Sequence, residues 1–222
     1  MGLIGTIPPQ LGNLSFLVSR NLSHNNFQGH FPWELGRLSH LKLIDLSFNF
    51  LNGVIPPSIA NLDLNFNLIH GNIPHEISKF LNLRILRLAH NQLSGSIPAV
   101  IYNISSLLMI SVPHNHLSGS VAKDIGNLTE LKKLLLYDNN LEGEIPQDIR
   151  NLQKLEIFDV SMNNSSGQIP LRIDECMNHQ MLYLDASRFN GSIPRSIGNL
   201  PKLTHLSLGE NHLKSKIKFV LR

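Results

Sequence analysis

The chain has 222 residues, of which 42% are hydrophobic, 16% are charged and one is a cysteine, and its formal net charge is +3 at pH 7. This composition excludes an intrinsically disordered chain, a disulfide framework and a cysteine-rich zinc module, and the small charge does not support nucleic-acid binding. No apolar run approaches the ~18 residues of a membrane-spanning helix. Leucine and asparagine together make up more than a quarter of the chain, and this bias indicates a repeat.

One short motif recurs along the chain: a glycine followed, after one variable residue, by Ile-Pro or a close variant. Successive glycines are separated by one constant interval, as between Gly95 and Gly119, except for a shorter interval that ends at Gly71. The glycines of the series are Gly5, Gly29, Gly53, Gly71, Gly95, Gly119, Gly143, Gly167 and Gly191. This periodicity predicts a stack of similar units, each of which buries its apolar face against its neighbours.

The residues before each glycine predict a short strand that ends in a turn. In the segment 131–141, LKKLLLYDNNL, alternation directs Leu134 and Leu136 inward and Leu135 outward. An asparagine shortly before the glycine turns the chain out of the strand, and its amide can bond the buried backbone of adjacent turns. The predicted ladder asparagines are Asn25, Asn49, Asn67, Asn91, Asn115, Asn139, Asn163 and Asn211, with an interruption at Ser187.

These motifs resemble the plant-specific leucine-rich repeat family over residues 1 to about 217. The segment 131–141 fits L-x-x-L-x-L-x-x-N-x-L at every defined position, and G-x-I-P follows, as in residues 95–98. The resemblance implies an α/β leucine-rich repeat solenoid, a right-handed superhelix with a parallel concave β-sheet, short outer strands, 3-10 turns and little true helix. The segments YNISSL (102–107) and IGNLTEL (125–131) are similar to the ectodomains of plant receptor-like kinases and receptor-like proteins.

The repeat pattern predicts one domain with irregular ends. Its expected parts are a single domain over 1–222, a partial repeat at 1–16, about nine repeats over 17–217, one shortened repeat at 53–70 and a degenerate tail at 218–222. Ile59 must serve as the first leucine of the shortened repeat, where we expect local irregularity. Members of the family usually begin with a signal peptide and a cysteine-paired cap, and neither motif occurs here. We therefore interpret the chain as a fragment or truncated copy of a longer receptor.

The outward positions of the concave strands are the candidate binding surface, because their side chains have no role in the core. Arg87 and Lys133 make the centre of this surface basic, whereas Asp159 and Asp185 make its later repeats acidic. Apolar and aromatic side chains lie between these charges, and this combination suits an extended peptide or a partner protein. The predicted ligand-binding residues are Arg87, Met109, Lys133, Leu135, Tyr137, Asp159, Tyr183 and Asp185. The competing interpretation is a solvated face without a ligand.

Several ring-bearing residues occupy equivalent positions in neighbouring repeats. Phe48 and Phe66 stand at the strand-to-turn edge, where they form either a stack that fills the turn or an exposed contact patch. His90 and His114 are in register one repeat apart, but no carboxylate or thiolate column completes a metal site. Cys176 falls in a leucine column and is predicted to be a buried structural thiol. We predict neither a metal site nor a cofactor.

Those N-x-S/T sequons that lie in GNLS-type and YNISS segments are expected on the side of the repeats opposite the concave face. The predicted glycosylation sites are Asn13, Asn103 and Asn127. Asn163 also begins a sequon, but it belongs to the asparagine ladder and should not be accessible. Because N-L-S/T is part of the repeat itself, these sequons give only mild support for secretion.

The chain contains no convincing catalytic motif, so we do not predict an enzyme, although a parent receptor could carry a Ser/Thr kinase domain. The resemblance implies recognition of a protein or peptide ligand, or of a co-receptor, in signalling or defence. It also implies a position at the extracellular face of the plasma membrane or secretion, without nucleic-acid binding or membrane insertion by this chain itself. The alternatives are a secreted inhibitor resembling polygalacturonase-inhibiting proteins and a truncated non-functional copy.

Overall fold

The structure is a computed structural model that describes residues 2–32, 34–35, 38, 43–55, 62–79 and 83–214. This part of the chain contains short parallel strands and 3-10 turns but no α-helix, as expected for a leucine-rich repeat solenoid. It also contains no helix long and apolar enough to cross a membrane. Ile59 and the tail 218–222 lie outside the described residues.

The strands, numbered β1 to β18 in chain order, form one long inner sheet and two shorter lateral sheets. The inner sheet consists of β2 (Ser19–Asn21), β4 (Leu43–Asp45), β6 (Leu62–Asp63), β8 (Ile85–Arg87), β10 (Met109–Ser111), β12 (Lys133–Leu135), β14 (Ile157–Asp159), β16 (Met181–Tyr183) and β18 (His205–Ser207). Each inner strand pairs in parallel with the inner strand of the next repeat. The shortened repeat keeps this register, since Asp63 pairs with both Asp45 and Arg87.

The lateral strands follow the turn at each ladder asparagine. The first lateral sheet contains β1 (Ile4–Gly5), β3 (Asn26–His30), β5 (Phe50–Gly53), β7 (Leu68–Gly71), β9 (Gln92–Ser96) and β11 (His116–Ser118). The second contains β13 (Glu142–Gly143), β15 (Asn164–Gln168) and β17 (Arg188–Asn190). Backbone hydrogen bonds also connect the two sheets, because the N–H groups of Asn140 and Glu142 donate to the carbonyls of Leu117 and Gly119 at 2.8 Å.

The 3-10 turns lie on the side opposite the inner sheet. They span Pro9–Asn13, His75–Lys79, Ala99–Asn103, Lys123–Asn127, Gln147–Asn151, Ile173–Glu175 and Arg195–Asn199. Several follow the proline of the repeated motif, as at Pro98 (φ −67°) and Pro146 (φ −65°). The proline ring fixes this φ, so the chain enters the turn with little additional loss of conformational entropy.

The core lies between the inner strands and the 3-10 turns, and it is continuous from repeat to repeat. Leu134 and Leu136 are 1% and 0% exposed, whereas Leu135 between them is half-buried on the opposite face. The alternation expected from the sequence is thus present in the strand. Tyr102, Phe158 and Phe189 are the bulkiest fully buried side chains among the described residues.

The ladder asparagines connect adjacent repeats through buried side-chain amides. The Oδ1 atom of Asn115 accepts the backbone N–H of Leu93 at 2.9 Å. Its Nδ2 atom donates to the carbonyl of Leu88 in the preceding repeat at 3.0 Å, and to those of Val112 and Pro113 in its own repeat at 3.1 Å. The corresponding amides of Asn49, Asn67, Asn91, Asn139, Asn163 and Asn211 make equivalent contacts, while Asn25 accepts the N–H of Leu3.

The ladder changes at Ser187, whose hydroxyl accepts the backbone N–H of Asn163 at 3.3 Å. A hydroxyl is shorter than an amide and has one donor rather than two, so it cannot reproduce the full set of contacts. Beside this position lies Ser165, which is 4% exposed where the other repeats carry residues such as Leu117 and Leu141. Two neighbouring repeats therefore depart from the consensus at the same place in the stack.

His179 is a second irregularity of the core. It occupies the leucine column of Leu131, Leu155 and Leu203, is 0% exposed, and has no hydrogen-bond partner at either ring nitrogen among the described residues. Burial lowers the pKa of this imidazole to about 4. Cys176 is also fully buried, as expected, and burial raises the pKa of its thiol to about 12.

Replacement of a ladder amide should destabilise the whole stack. Asn115→Ala leaves the Leu93 N–H and several buried carbonyls without their side-chain partner, so the free energy of unfolding should fall by about 2–4 kcal/mol in urea denaturation. The matched control is Asn140→Ala, which removes an exposed asparagine next to the ladder residue Asn139. Equal losses in the two variants would contradict a structural role for the ladder.

His179→Leu should stabilise the fold, and the gain should increase in acid. In wild type the folded-state pKa of His179 lies below the ordinary histidine value of 6.5, so the unfolded chain binds a proton that the folded chain does not. The free energy of unfolding therefore decreases as pH falls below about 6.5, with about 2 kcal/mol lost to this residue between pH 7.5 and 5.0.

Urea denaturation at the two pH values measures this difference. The His179→Leu variant should lack that share of the pH dependence, whereas the exposed control His212→Leu should retain it. A His179→Leu variant with the same pH dependence as wild type would show that the imidazole is protonated equally in the folded and unfolded states.

Candidate ligand-binding face

The concave surface is formed by the outward residues of the inner sheet. In its central column Arg87 pairs with Ser111, Ser111 with Leu135, Leu135 with Asp159, and Asp159 with Tyr183. The column beside it pairs Met109 with Lys133, and Tyr137 and Asp185 follow β12 and β16. All eight residues that the sequence singled out are half-buried. Their side chains thus share one surface over five repeats, from Arg87 to Asp185.

The first half of this face is electrostatically balanced. The Arg87 Nη1 atom lies 3.4 Å from Asp63 Oδ2, and the two residues are paired across the neighbouring strands β8 and β6. Burial raises the pKa of Asp63, while the backbone N–H of Asn65 and the Arg87 guanidinium act in the opposite direction. Arg87 is therefore already paired with a carboxylate, which reduces the basic character that the sequence suggested for this region.

The second half of the face is acidic and aromatic. The Asp159 Oδ1 atom accepts the backbone N–H of Ser161 at 3.1 Å and its hydroxyl at 2.6 Å. Burial raises the pKa of Asp159, the hydrogen bonds from Ser161 lower it, and the nearby Asp185 raises it. Burial, Asp159 and Asp138 raise the pKa of Tyr137. The face consequently places two carboxylates next to Tyr137 and Tyr183.

A column of stacked rings borders the concave face in the earlier repeats. The residue before each ladder position has a left-handed backbone, with φ between 48° and 56° at His24, Phe48, Phe66, His90, His114, Asp138, Met162, Ala186 and Glu210. Ring centroids are 4.2 Å apart for His24–Phe48 and Phe48–Phe66, 4.0 Å for Phe66–His90 and 3.9 Å for His90–His114. We call these five residues the ring column. Both sequence interpretations apply to it, because the rings stack and yet Phe48 and Phe66 remain 42% and 38% exposed.

The ring column ends in a polar contact. His114 meets the ring of Tyr137 edge to face, with centroids 5.0 Å apart, and its Nδ1 atom lies 2.5 Å from Asp138 Oδ2. Burial and the adjacent His114 lower the pKa of His90, and Asp138 opposes them. The sequence indicated two separate pairs, Phe48 with Phe66 and His90 with His114. His24 was missed, although its position before Asn25 in the repeat could have identified it.

The three predicted glycosylation sites lie away from both surfaces. Asn13, Asn103 and Asn127 are exposed, and each is the last residue of a 3-10 turn. Asn163 is 8% exposed and its side chain is fully engaged in the ladder. A glycan at the three exposed positions would leave the concave face open.

Comparison with known proteins agrees with the geometry. A family model described as Leucine Rich Repeat matches residues 40–62, 82–104 and 130–152. The structure is similar to the ectodomain of the plant membrane receptor kinase GASSHO1/SCHENGEN3 from Arabidopsis thaliana in complex with CASPARIAN STRIP INTEGRITY FACTOR 2, with 37% identity over 95% of this chain and a TM-score of 0.92. The chain belongs to the plant leucine-rich repeat family.

Two further proteins to which the chain is similar are also plant receptors. The Arabidopsis receptor kinase HAESA, solved with an N-terminally extended IDA peptide hormone ligand, is 32% identical over 95% of this chain, with a TM-score of 0.90. Receptor like protein 21 of Arabidopsis thaliana is 38% identical over 58 residues, which are 26% of this chain. This chain spans 26% of the length of the GASSHO1/SCHENGEN3 chain, 36% of the HAESA chain and 6% of receptor like protein 21.

The ring column should stabilise the repeats despite its left-handed backbone. An L-residue in this conformation costs about 1 kcal/mol, so Ala186→Gly should raise the free energy of unfolding by about 0.5–1 kcal/mol. Phe66→Gly removes the same backbone strain but also removes the ring contacts on both faces of Phe66. It should therefore lower the free energy of unfolding by about 1–2 kcal/mol. Urea denaturation of both variants checks this. Equal stabilisation of the two would show that the rings contribute nothing.

Proposed function

We propose that the chain is a recognition module that binds an extended peptide or a protein segment on its concave face, as part of an extracellular plant receptor. The observation that carries the proposal is the shared surface of Arg87, Met109, Lys133, Leu135, Tyr137, Asp159, Tyr183 and Asp185, all half-buried and outside the core. The resemblance to receptor ectodomains, including HAESA with its peptide hormone, supports the same assignment. No catalytic role is proposed.

The chemistry of the face favours an elongated ligand. Leu135 and Met109 supply apolar area in the middle, and the strands present one outward position about every 4.8 Å along the stack. An extended peptide can therefore contact several repeats while keeping its backbone accessible for hydrogen bonds. Two tyrosines provide rigid contact area, which is a frequent property of residues that dominate binding energy.

The acidic repeats favour a ligand with a basic group. Asp159 directs one carboxylate oxygen to Ser161, and the structure assigns its Oδ2 atom no hydrogen bond within the described residues. Tyr183 pairs with Asp159 in the central column. A lysine or arginine of the ligand could meet the carboxylate and the face of the aromatic ring together, which combines charge pairing with a cation–π contact.

The proposal is testable without knowledge of the natural ligand. A phage-displayed library of random dodecapeptides is selected on the wild-type chain, and the affinities of enriched peptides are measured by fluorescence polarisation. We expect the enriched peptides to carry a basic residue and to bind at least tenfold more weakly to Tyr183→Ala, Asp159→Asn and Tyr137→Ala, because these changes remove a ring, a charge and a second ring of the face.

The matched control is Leu171→Ala, which shortens an exposed side chain (64% exposed) remote from the concave strands in sequence and fold. Its affinity for the peptides should equal that of wild type. Binding that survives all three concave substitutions, or an absence of any enriched sequence, would remove the concave face as the binding surface.

A further inference from the structure

The first lateral sheet differs from the rest of the surface in its chemistry. Strands β1, β3, β5, β7, β9 and β11 and the turn residues that lead into them contain no lysine, arginine, aspartate or glutamate. The second lateral sheet carries Glu142 and Arg188 in its strands. Depletion of charge together with enrichment of aromatic residues is typical of the centre of a protein interface. The change from an uncharged to a charged lateral surface lies between β11 and β13.

Large apolar side chains are exposed on this uncharged face. Phe48 and Phe50 flank Asn49, and Phe66 and Leu68 flank Asn67, with exposures of 42%, 53%, 38% and 42% respectively. The ring column holds Phe48 and Phe66 between other rings at 4.0–4.2 Å. These side chains are therefore pre-ordered, and a partner that covers them loses little side-chain entropy.

The sequence also leaves this face free of glycans. None of the segments 24–30, 48–54, 66–72, 90–96 and 114–120 contains an N-x-S/T sequon. The predicted acceptor Asn13 and its counterparts lie at the ends of 3-10 turns instead. The lateral face thus stays accessible even if every predicted site is glycosylated.

We propose that the first lateral sheet and its ring column form an interface with a second copy of this chain. In a two-fold dimer a surface faces itself, so permanent charges of one sign would be brought together. This face carries none, and its exposed phenylalanines are complementary to their own equivalents. The proposal concerns a different surface from the concave face and does not depend on the bound peptide.

The area of the lateral face determines how tightly the dimer is expected to form. The five segments 24–30, 48–54, 66–72, 90–96 and 114–120, each roughly 20 Å long and spaced about 4.8 Å apart, give a projected area on the order of 400–500 Å². Specific interfaces bury about 800 Å² of accessible surface per partner, and a surface with protruding rings exceeds its own projection. The face therefore lies near the lower limit, which predicts a weak dimer with a dissociation constant on the order of 10–100 µM.

Sedimentation equilibrium of the full chain from 5 to 200 µM tests the proposal. At pH 7.5 we expect a monomer–dimer equilibrium that Phe50→Lys and Leu68→Lys each weaken at least tenfold. Circular dichroism of each sample confirms that the variants are folded.

Two controls locate the contact. Leu171→Lys places the same charge on an exposed leucine outside the lateral face, and Phe16→Lys tests association through the first repeat, where Phe16 is 87% exposed. Both should dimerise as wild type does. A monomer at all concentrations, or a dimer unchanged by Phe50→Lys or lost in Phe16→Lys, would overturn the proposal.

Discussion

The arrangement of most repeats depends on a buried asparagine amide that bonds two turns at once. At Asn139 the carbonyl oxygen accepts the N–H of Leu117 at 2.9 Å, and the amino group donates to the carbonyl of Val112 at 3.0 Å. Both partners belong to the preceding repeat. The amide therefore satisfies backbone groups that cannot reach water or another strand, and it fixes the position of one turn relative to the next.

The same constraint creates the surfaces available for function. The residue before each ladder position adopts a left-handed backbone, with φ of 54° at both Phe48 and His90, so its side chain leaves the turn in a fixed direction. Where successive residues at this position carry rings, the rings stack. The outward strand positions are fixed in the same way by the pairing of β8 through β16. The repeat backbone thus fixes where the outward side chains lie, and the identity of those side chains determines what the surface can bind.

Much of this frame follows from the sequence. The alternation at Leu134 and Leu136, the ladder asparagines and the constant repeat interval reflect local geometry that every repeat must satisfy. The concave residues from Arg87 to Asp185 could be assigned to one surface for the same reason. What the sequence did not show depends on contacts between repeats. Asp63 and Arg87 are separated by the constant repeat interval, but their ion pair depends on the conformations of the two side chains. The extent of the ring column depends on the backbone conformation at His24 and His114.

The break in the lateral sheet was also absent from the sequence-based expectation. Backbone hydrogen bonds from Asn140 to Leu117 and from Glu142 to Gly119, both at 2.8 Å, nevertheless connect β11 and β13. Likewise, the substitution of His179 in a leucine column is visible in the sequence, but the lack of any partner for its ring among the described residues becomes apparent only when the neighbouring repeats are in place.

Amide hydrogen exchange measured by NMR tests the central role of the ladder most directly. The N–H groups of Leu93, Leu117 and Leu141 donate to ladder amides, whereas Ser165 stands opposite Ser187, where the amide is missing. The account predicts slow exchange at the three leucines and markedly faster exchange at Ser165, although all four are buried. Equal protection at the four positions would contradict the claim that the asparagine amides, rather than burial alone, hold the repeats together.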